Sequence, residues 1–577
     1  MKNSLRAMLL TALVVIAVVL VSAAPAFAAP ADIPQGASFT LVTNMGVDQG
    51  AFWLYSPSKY YNWTALLSKE LNSVMFVYPN SPCDSDAAAW KIIQTNGLAQ
   101  LAEDNAAFIV IPKAMNGAFW SLGDLTLFQG ALNYLAGGAS APPYLQWQYP
   151  VRAGSSRTYV LAEGNGATFI HTILSKYARS IAGIITFGGT IESTAPGLAL
   201  PAYLVNADAT TIAYYKGVNE TNSEPSPGVF VNSAFPLKTV ITAAIGPESV
   251  AKFQKLSRFI PSYITDAWNK IFSVTARPNM LGAFDTSGAG RVLNDRPNYA
   301  KLGMTRVDQP GEALPDGTKA TWYDFVPNSI SKTQTTKVPL VITLHGMSGD
   351  PVDVVETPGW AQKAVEKGFI VVSPAYVAAN GNAMLDPALA ENVVLQVLKY
   401  AEANYPIDVH RVYLTGYSMG GWSTAMFGLE NTDKFAAVAP MGASGADDPQ
   451  LETVVASVKD NVDLPFLMLI GGIDGLNVQT IGGFPAVIGF SGRGGIDLLR
   501  TVNELTVPPP DYAHYPYWGF PTEDKTVMVS KGLHFDVSYS SKNGKHIAEW
   551  VIFREGAHTH EDFYATLAWD FLSQFTR

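Results

Sequence analysis

The run Arg411-Val412-Tyr413-Leu414-Thr415-Gly416-Tyr417-Ser418-Met419-Gly420-Gly421 reads as a β-strand that turns sharply into a helix. Arg411–Thr415 carries β-branched and aromatic residues suited to a buried strand, and Gly420–Glu430 continues as a helix candidate. Between them stands Gly416-x-Ser418-x-Gly420, a pattern that occurs once in the chain. A strand-to-helix turn of this kind lifts the serine hydroxyl clear of the sheet, and glycines flank it because a Cβ there would meet the crossing backbone. The free N–H groups at the helix start face the same point, so a developing negative charge meets donors and a favourable dipole. Ser418 is therefore the candidate nucleophile, and the Met419 N–H a candidate oxyanion donor.

Outward from this turn, apolar runs alternate with helical patterns. The strand candidates are Val338–His345, Phe369–Pro374, Arg411–Thr415, Phe435–Pro440, Pro465–Ile470 and Ala548–Phe553; helix candidates include Gly359–Lys367, Leu389–Asn404 and Gly420–Glu430. This is the rhythm of an α/β domain with a parallel sheet covered by helices. A serine hydroxyl is a poor nucleophile at neutral pH and needs a general base oriented by a carboxylate, in chain order Ser, Asp, His. Asp474 follows the strand Pro465–Ile470 in Gly471-Gly472-Ile473-Asp474-Gly475, and His558 follows Ala548–Phe553 in Glu555-Gly556-Ala557-His558. His560 competes with His558. Thr559 with Asp562 three residues on resembles a capping box, which starts the last helix at His560 and leaves His558 in the loop as the base. Phe563, Leu567, Phe571, Leu572 and Phe575 mark that helix's buried face. A second oxyanion donor is expected from the backbone of Met347, just after His345-Gly346; His345 itself reads as a structural hydrogen-bonding residue. No acidic or histidine cluster accompanies the His558-x-His560 pair, so no metal site is expected.

The N-terminal half repeats the rhythm and some of the residues, in the same order. Leu98-Ala99-Gln100 ahead of Phe108-Ile109-Val110-Ile111 matches Trp360-Ala361-Gln362 ahead of Phe369-Ile370-Val371-Val372. Tyr159-Val160-Leu161 matches Tyr413-Leu414-Thr415, and Lys216-Gly217-Val218-Asn219 matches Arg500-Thr501-Val502-Asn503. A tandem duplication of one α/β unit accounts for this, with the join inside Ala276–Lys319; two unrelated α/β domains are the alternative.

Lys2 and Arg6, the apolar run Met8–Ala24 and Ala26-Phe27-Ala28 read as an export signal over residues 1–28. About 550 residues remain, enough for two large domains, here 29–290 and 291–577. With 48% hydrophobic and 15% charged residues the composition is that of folded protein. Losing Lys2 and Arg6 takes the net charge from −10 to −12, which repels phosphate backbones; nucleic acid is not an expected partner, and a membrane contact is expected only through the leader. The single cysteine, Cys83, excludes an internal disulfide and a thiolate-ligated zinc.

From about Trp322 to Arg577 the chain resembles the extracellular polyhydroxybutyrate depolymerase and feruloyl-esterase-like branch of the α/β hydrolases. The resemblance rests on Pro339-Leu340-Val341-Ile342-Thr343-Leu344-His345-Gly346, Gly359-Trp360-Ala361-Gln362, Gly416-Tyr417-Ser418-Met419-Gly420-Gly421 and Gly556-Ala557-His558. It implies a secreted serine esterase, extracellular or periplasmic, that cleaves polyesters or aryl and feruloyl esters through Ser418, His558 and Asp474 with no cofactor. The chain departs from that pattern in lacking paired cysteines, in the long interval between Asp474 and Asn503, and in the extra N-terminal copy. The architecture is then tandem α/β-hydrolase-like domains, the first degenerate and the second catalytic. In the first copy Ala162-Glu163-Gly164-Asn165-Gly166 puts Gly164 at the nucleophile position, and Tyr78-Pro79 stands for His345-Gly346. Apart from His171 no histidine precedes His345, and Asp208 alone cannot run acyl transfer. Glu163 reads as solvated surface. Two other readings are open: a prolyl-oligopeptidase-like serine peptidase, with Tyr512, Tyr515, Tyr517 and Trp518 lining a cleft or simply packing, and a non-catalytic exported binding protein.

Overall fold

The computed structural model describes residues 32–43, 50–58, 72–135, 153–176, 181–192, 197–233, 235–246, 259, 261–270, 272, 274–278, 291–309, 320–346, 351–375, 387–442, 463–488, 494–530, 533–558 and 561–577. Among these, two ten-stranded sheets dominate. The first comprises β1 (Ser38–Val42), β2 (Ala51–Ser56), β3 (Asn72–Tyr78), β4 (Ala107–Lys113), β5 (Ala153–Glu163), β6 (Gly183–Phe187), β7 (Ala202–Val205), β8 (Ser223–Ser226), β9 (Val229–Val231) and β10 (Thr239–Ala243). A two-stranded sheet, β11 (Val274–Pro278) with β12 (Arg291–Asp295), follows and spans the 290/291 boundary expected between domains. The second large sheet comprises β13 (Met304–Gln309), β14 (Thr321–Pro327), β15 (Val338–Leu344), β16 (Ile370–Ala375), β17 (Ile407–Tyr417), β18 (Ala437–Met441) and β19 (Phe466–Gly471). It continues after a hairpin of β20 (Val478–Ile481) and β21 (Phe484–Val487) with β22 (Lys525–Ser530), β23 (Leu533–Lys542) and β24 (Lys545–Phe553).

The strand orders are β1-β2-β4-β3-β5-β6-β7-β10-β9-β8 and β13-β14-β16-β15-β17-β18-β19-β24-β23-β22. Position for position they are the same, with β20–β21 added in the second half. The agreement extends to register: the pairing of the third and fifth strands slips between Asn72 and Val74 in one sheet and between Val338 and Leu340 in the other. Strands β15, β16, β18 and β19 are buried along their whole length, because apolar side chains point to both faces and each face is covered by helices. One core lies on either face of β13–β24 and one on either face of β1–β10.

The predicted strands and helices all form, with shifted ends. Strand β17 runs from Ile407 to Tyr417, longer than Arg411–Thr415, and the helix predicted from Leu389 begins at Pro387. One expectation fails: the last helix is Tyr564–Leu572, with Phe563 at its N-cap and no side-chain cap, so the Thr559/Asp562 capping box does not start it. Tertiary contacts set the start instead. Phe563 packs against Phe535 and Phe553, and Ala565 N–H donates to Pro358 O at 3.0 Å. The aromatic segment before β22 divides: Tyr512 and Trp518 are buried, whereas Tyr515 is exposed.

The halves meet at a buried charge cluster. Arg157 of β5 lies 3.7 Å from Glu356, which also accepts from Arg296 Nε at 3.0 Å. Each half is also stapled by one asparagine. Asn219 Nδ2 donates to Leu200 O at 2.8 Å while Leu200 N–H donates to Asn219 Oδ1 at 2.9 Å. Asn503 makes the same pair with Leu464, at 2.9 Å in both directions. Asn503→Ala strands the buried N–H and C=O of Leu464, at about 1–3 kcal/mol each. Urea unfolding of this variant should show a loss of at least about 2 kcal/mol; an unchanged midpoint would mean that the staple is replaced by water.

Candidate active site

The serine turn is where β17 ends and the helix Met419–Glu430 begins. Ser418 occupies φ 57°, ψ −120° as that helix's N-cap residue, a backbone conformation side chains rarely adopt, and its N–H donates to Met441 O at 2.9 Å. The flanking glycines are required by contact: a Cβ on Gly416 would stand 2.4 Å from Gly420 O, and one on Gly420 2.1 Å from Leu344 O. Strand β15, the turn and the helix therefore cross at backbone distance. The helix N-terminus lies directly behind the hydroxyl.

Two loops complete the site. The loop after β19 carries Asp474 and the loop after β24 carries His558; they are tied by Ile473 N–H donating to Gly556 O at 2.9 Å. His558 Nε2 lies 2.8 Å from Ser418 Oγ and its Nδ1 lies 2.9 Å from Asp474 Oδ2. All three side chains are buried. The Asp474 carboxylate accepts from Leu476 N–H at 3.0 Å and from Asn477 Nδ2 at 2.7 Å, and Asn477 also donates to Gly442 O. Asn477, buried and facing the carboxylate, is a site residue that the sequence reading missed; an Asn three places after an Asp in a Gly-bounded turn is the available signal. The Tyr417 ring packs 5.1 Å from the His558 ring. His345 is buried, its Nδ1 2.8 Å from Gly346 O, in keeping with a structural role. Met419 begins the helix. Met347, Thr559 and His560 lie outside the described residues. Among the described residues, no group of three His, Cys, Asp or Glu side chains is placed to hold a metal.

The BD-FAE family model matches residues 329–461, a stretch that contains β15 and the Ser418 turn and stops before Asp474. Over 152 residues the chain is 32% identical to a bifunctional acetylxylan esterase/xylanase of Neocallimastix patriciarum, a match covering 25% of this chain and 21% of the relative. Over 113 residues it is 30% identical to poly(3-hydroxyalkanoate) depolymerase C of Paucimonas lemoignei, covering 18% of this chain and 27% of the relative. The chain thus spans less than a third of the length of either relative. The stretch around the Ser418 turn is similar in sequence to parts of an esterase and of a polyester depolymerase. Among solved structures, an acetyl xylan esterase from Aspergillus awamori is similar at 13% identity and a TM-score of 0.33, over 47% of this chain and 99% of the other.

The first half sets a contrast with the half that carries Ser418. Gly164 holds the same turn, φ 53°, ψ −117°, and its N–H donates to Phe187 O at 2.9 Å. The space a side chain would need is filled, because a Cβ on Gly164 would lie 2.1 Å from Asn80 Oδ1. That same oxygen accepts the Asn165 N–H at 2.9 Å, the donor equivalent to Met419 N–H. Tyr78 pairs with Ala162 as Leu344 pairs with Gly416, so Pro79 stands at His345 and Asn80 at Gly346. This corrects the sequence alignment by one residue. Asp208 caps the helix Ala209–Val218 through Thr211, and buried His171 sits 3.0 Å from the Tyr215 hydroxyl.

Glu163 is buried, not solvated surface, and burial pushes its carboxyl up to about 7. Burial likewise pushes His171 down to about 4. A carboxyl raised in the folded state binds protons that the unfolded chain has released, so stability falls as pH rises from about 4.5 to 7, by about 3 kcal/mol in all. His171 works the other way between about pH 4 and 6.5, which makes the wild-type profile a compromise. Glu163→Gln should remove the loss, so that the difference in unfolding free energy between variant and parent grows across that window. A pH-independent difference would show that Glu163 is not buried as a titrating acid.

Proposed function

We propose that the C-terminal half is a serine carboxylic-ester hydrolase that works through an acyl-enzyme on Ser418. The observation that carries this reading is the Ser418–His558–Asp474 relay, 2.8 and 2.9 Å at its two links, on a strained turn at a helix N-terminus. With Nδ1–H donating to Asp474, His558 Nε2 takes the proton from Ser418 Oγ as that oxygen attacks the ester carbonyl carbon. The carbonyl oxygen becomes an oxyanion held by the N–H groups of Met419 and Met347. Collapse breaks the bond to the alkoxy oxygen, which leaves as the alcohol with the proton from Nε2. Water then repeats the sequence on the acyl-enzyme and releases the acid. Asn477 acts by holding the Asp474 carboxylate square to the imidazole.

The shared strand order and the shared register slip support a tandem duplication, in which residues 29–290 have kept the turn and lost the chemistry. Asn80 filling the vacated position supports the same reading. The leader over 1–28 supports export to an extracellular or periplasmic space; among the described residues no helix is long and apolar enough to cross a membrane. The substrates are carboxylic esters, with polyesters such as polyhydroxybutyrate and aryl or feruloyl esters as the classes to test, in keeping with the depolymerase and esterase relatives.

A panel of aryl esters, feruloyl esters and polyhydroxybutyrate on the purified chain tests this. Ser418→Ala and His558→Ala should each lower kcat by about 10⁴-fold or more, while His560→Ala stays near the parent. Asn477→Ala should fall between, about 10²-fold in kcat with little change in KM, since it misplaces the relay without removing a member. Full turnover by Ser418→Ala, or loss confined to His560→Ala, would refute the assignment.

A further inference from the structure

Among the described residues, the hairpin β20–β21 has no counterpart in the first half. In the first half Asp208 leads directly into the helix Ala209–Val218; in the second, the chain leaves Asp474, passes Asn477 and makes the hairpin before the helix Gly494–Val502. This insertion explains the long interval between Asp474 and Asn503. Its turn, Gly482-Gly483, has φ of 60° and 89°, which suits the tight two-residue hairpin whose twist matches its strands. The root is fixed. Ala486 and Val487 are buried, Val487 N–H donates to Tyr517 O and Tyr517 N–H to Pro485 O, both at 2.7 Å, and Ile488 N–H donates to Asn477 O at 2.9 Å. The tip is apolar and exposed. Ile481 and Phe484, paired across the turn, are 43% and 40% exposed, and so are Ile473, next to Asp474, and Tyr515, each at 40%. Tyr515 stands two residues before Tyr517, as Phe484 stands two before Ala486, its bridge partner.

Scattered apolar side chains on a surface need no explanation, but Ile481 and Phe484 share one hairpin whose root is bonded to Asn477, the residue that holds the Asp474 carboxylate. Keeping Ile481 and Phe484 in water at a hairpin tip costs solvation that a contacting substrate would recover. Neither side chain, nor Ile473, can donate or accept a hydrogen bond, which fits a hydrocarbon chain.

We infer that the β20–β21 hairpin is the substrate-contact element of the Ser418 site and that Ile481 and Phe484 select esters with an extended apolar chain. This rests on the reading of Ser418, Asp474 and His558 as an esterase site. Among its described residues the first half carries no such element between Asp208 and the helix that follows.

The test compares p-nitrophenyl octanoate with p-nitrophenyl acetate on the full chain. Ile481→Ser combined with Phe484→Ser should lower the octanoate-to-acetate ratio of kcat/KM about tenfold, mainly through KM for the octanoate. Phe484→Leu, which keeps apolar area, should hold the ratio near the parent value. Val527→Ser, an equally exposed apolar position on the edge strand β22, should leave it unchanged. Thermal midpoints within a degree or two of the parent verify that the folds are comparable. Organophosphate labelling of Ser418 in the same samples separates two failures. Labelling with an unaltered ratio in the double variant overturns the hairpin's role; no labelling overturns the reading of the site and the hairpin proposal with it.

Discussion

The close crossing of β15, the Ser418 turn and the helix Met419–Glu430 is the constraint on which the rest of the site depends. At that crossing there is room for hydrogen atoms and not for methyl groups, so Gly416 and Gly420 are dictated by contact with Gly420 O and Leu344 O. A non-glycine residue at φ 57° costs on the order of 1–3 kcal/mol, a strain that persists only where the surroundings over-determine it. Here they do. Ser418 N–H is held by Met441 O and Ser418 O by Trp422 N–H at 3.0 Å, one bond to the neighbouring strand and one into the helix. The first half adopts the same backbone angles with a glycine, which shows that the sheet and helix impose the turn and that the serine's chemistry does not.

Once the turn is set, the remaining groups need only be delivered by strand ends. Parallel strands β19 and β24 are neighbours in the sheet, so the loops that follow them emerge side by side and carry Asp474 and His558 to the same edge as Ser418. Chain order is irrelevant to this; sheet order decides it. The first half has the same sheet order and a carboxylate at the matching loop, yet Asp208 caps a helix and Asn80 occupies the space that a side chain at Gly164 would need. A single Gly164→Ser change would therefore meet a clash before it met a base. The charge cluster of Arg157, Arg296 and Glu356 keeps this half against the other, since breaking a buried ion pair leaves a costly unpaired charge.

Much of this was legible in the amino-acid sequence because it is local or periodic. The Gly416-to-Gly420 turn, the apolar strands around it, the Asn219/Asn503 match and the loops bearing Asp474 and His558 all leave marks within a dozen residues. What was missed is non-local. The start of the last helix is set by Phe563 packing on Phe535 and Phe553, which outweighs the capping signal at Thr559 and Asp562. Asn80 cannot be seen as the plug of the first turn until the β3–β5 register shows which residue faces Gly164. Glu163 looked like surface because a lone acid usually is; its burial follows from its place at the end of a central strand. The capping signal used to choose His558 over His560 does not start the helix, whereas the position of His558 after β24 places it beside Ser418.

The most direct test of the account is to trap the covalent intermediate. Rapid acid quenching of the full chain during turnover of an aryl ester, followed by peptide mass spectrometry, should find one acyl group per chain, on the peptide that carries Ser418. The His558→Ala variant should accumulate none on the same timescale. An acyl group on a residue of the first half, or turnover with no acylated serine at all, would contradict it.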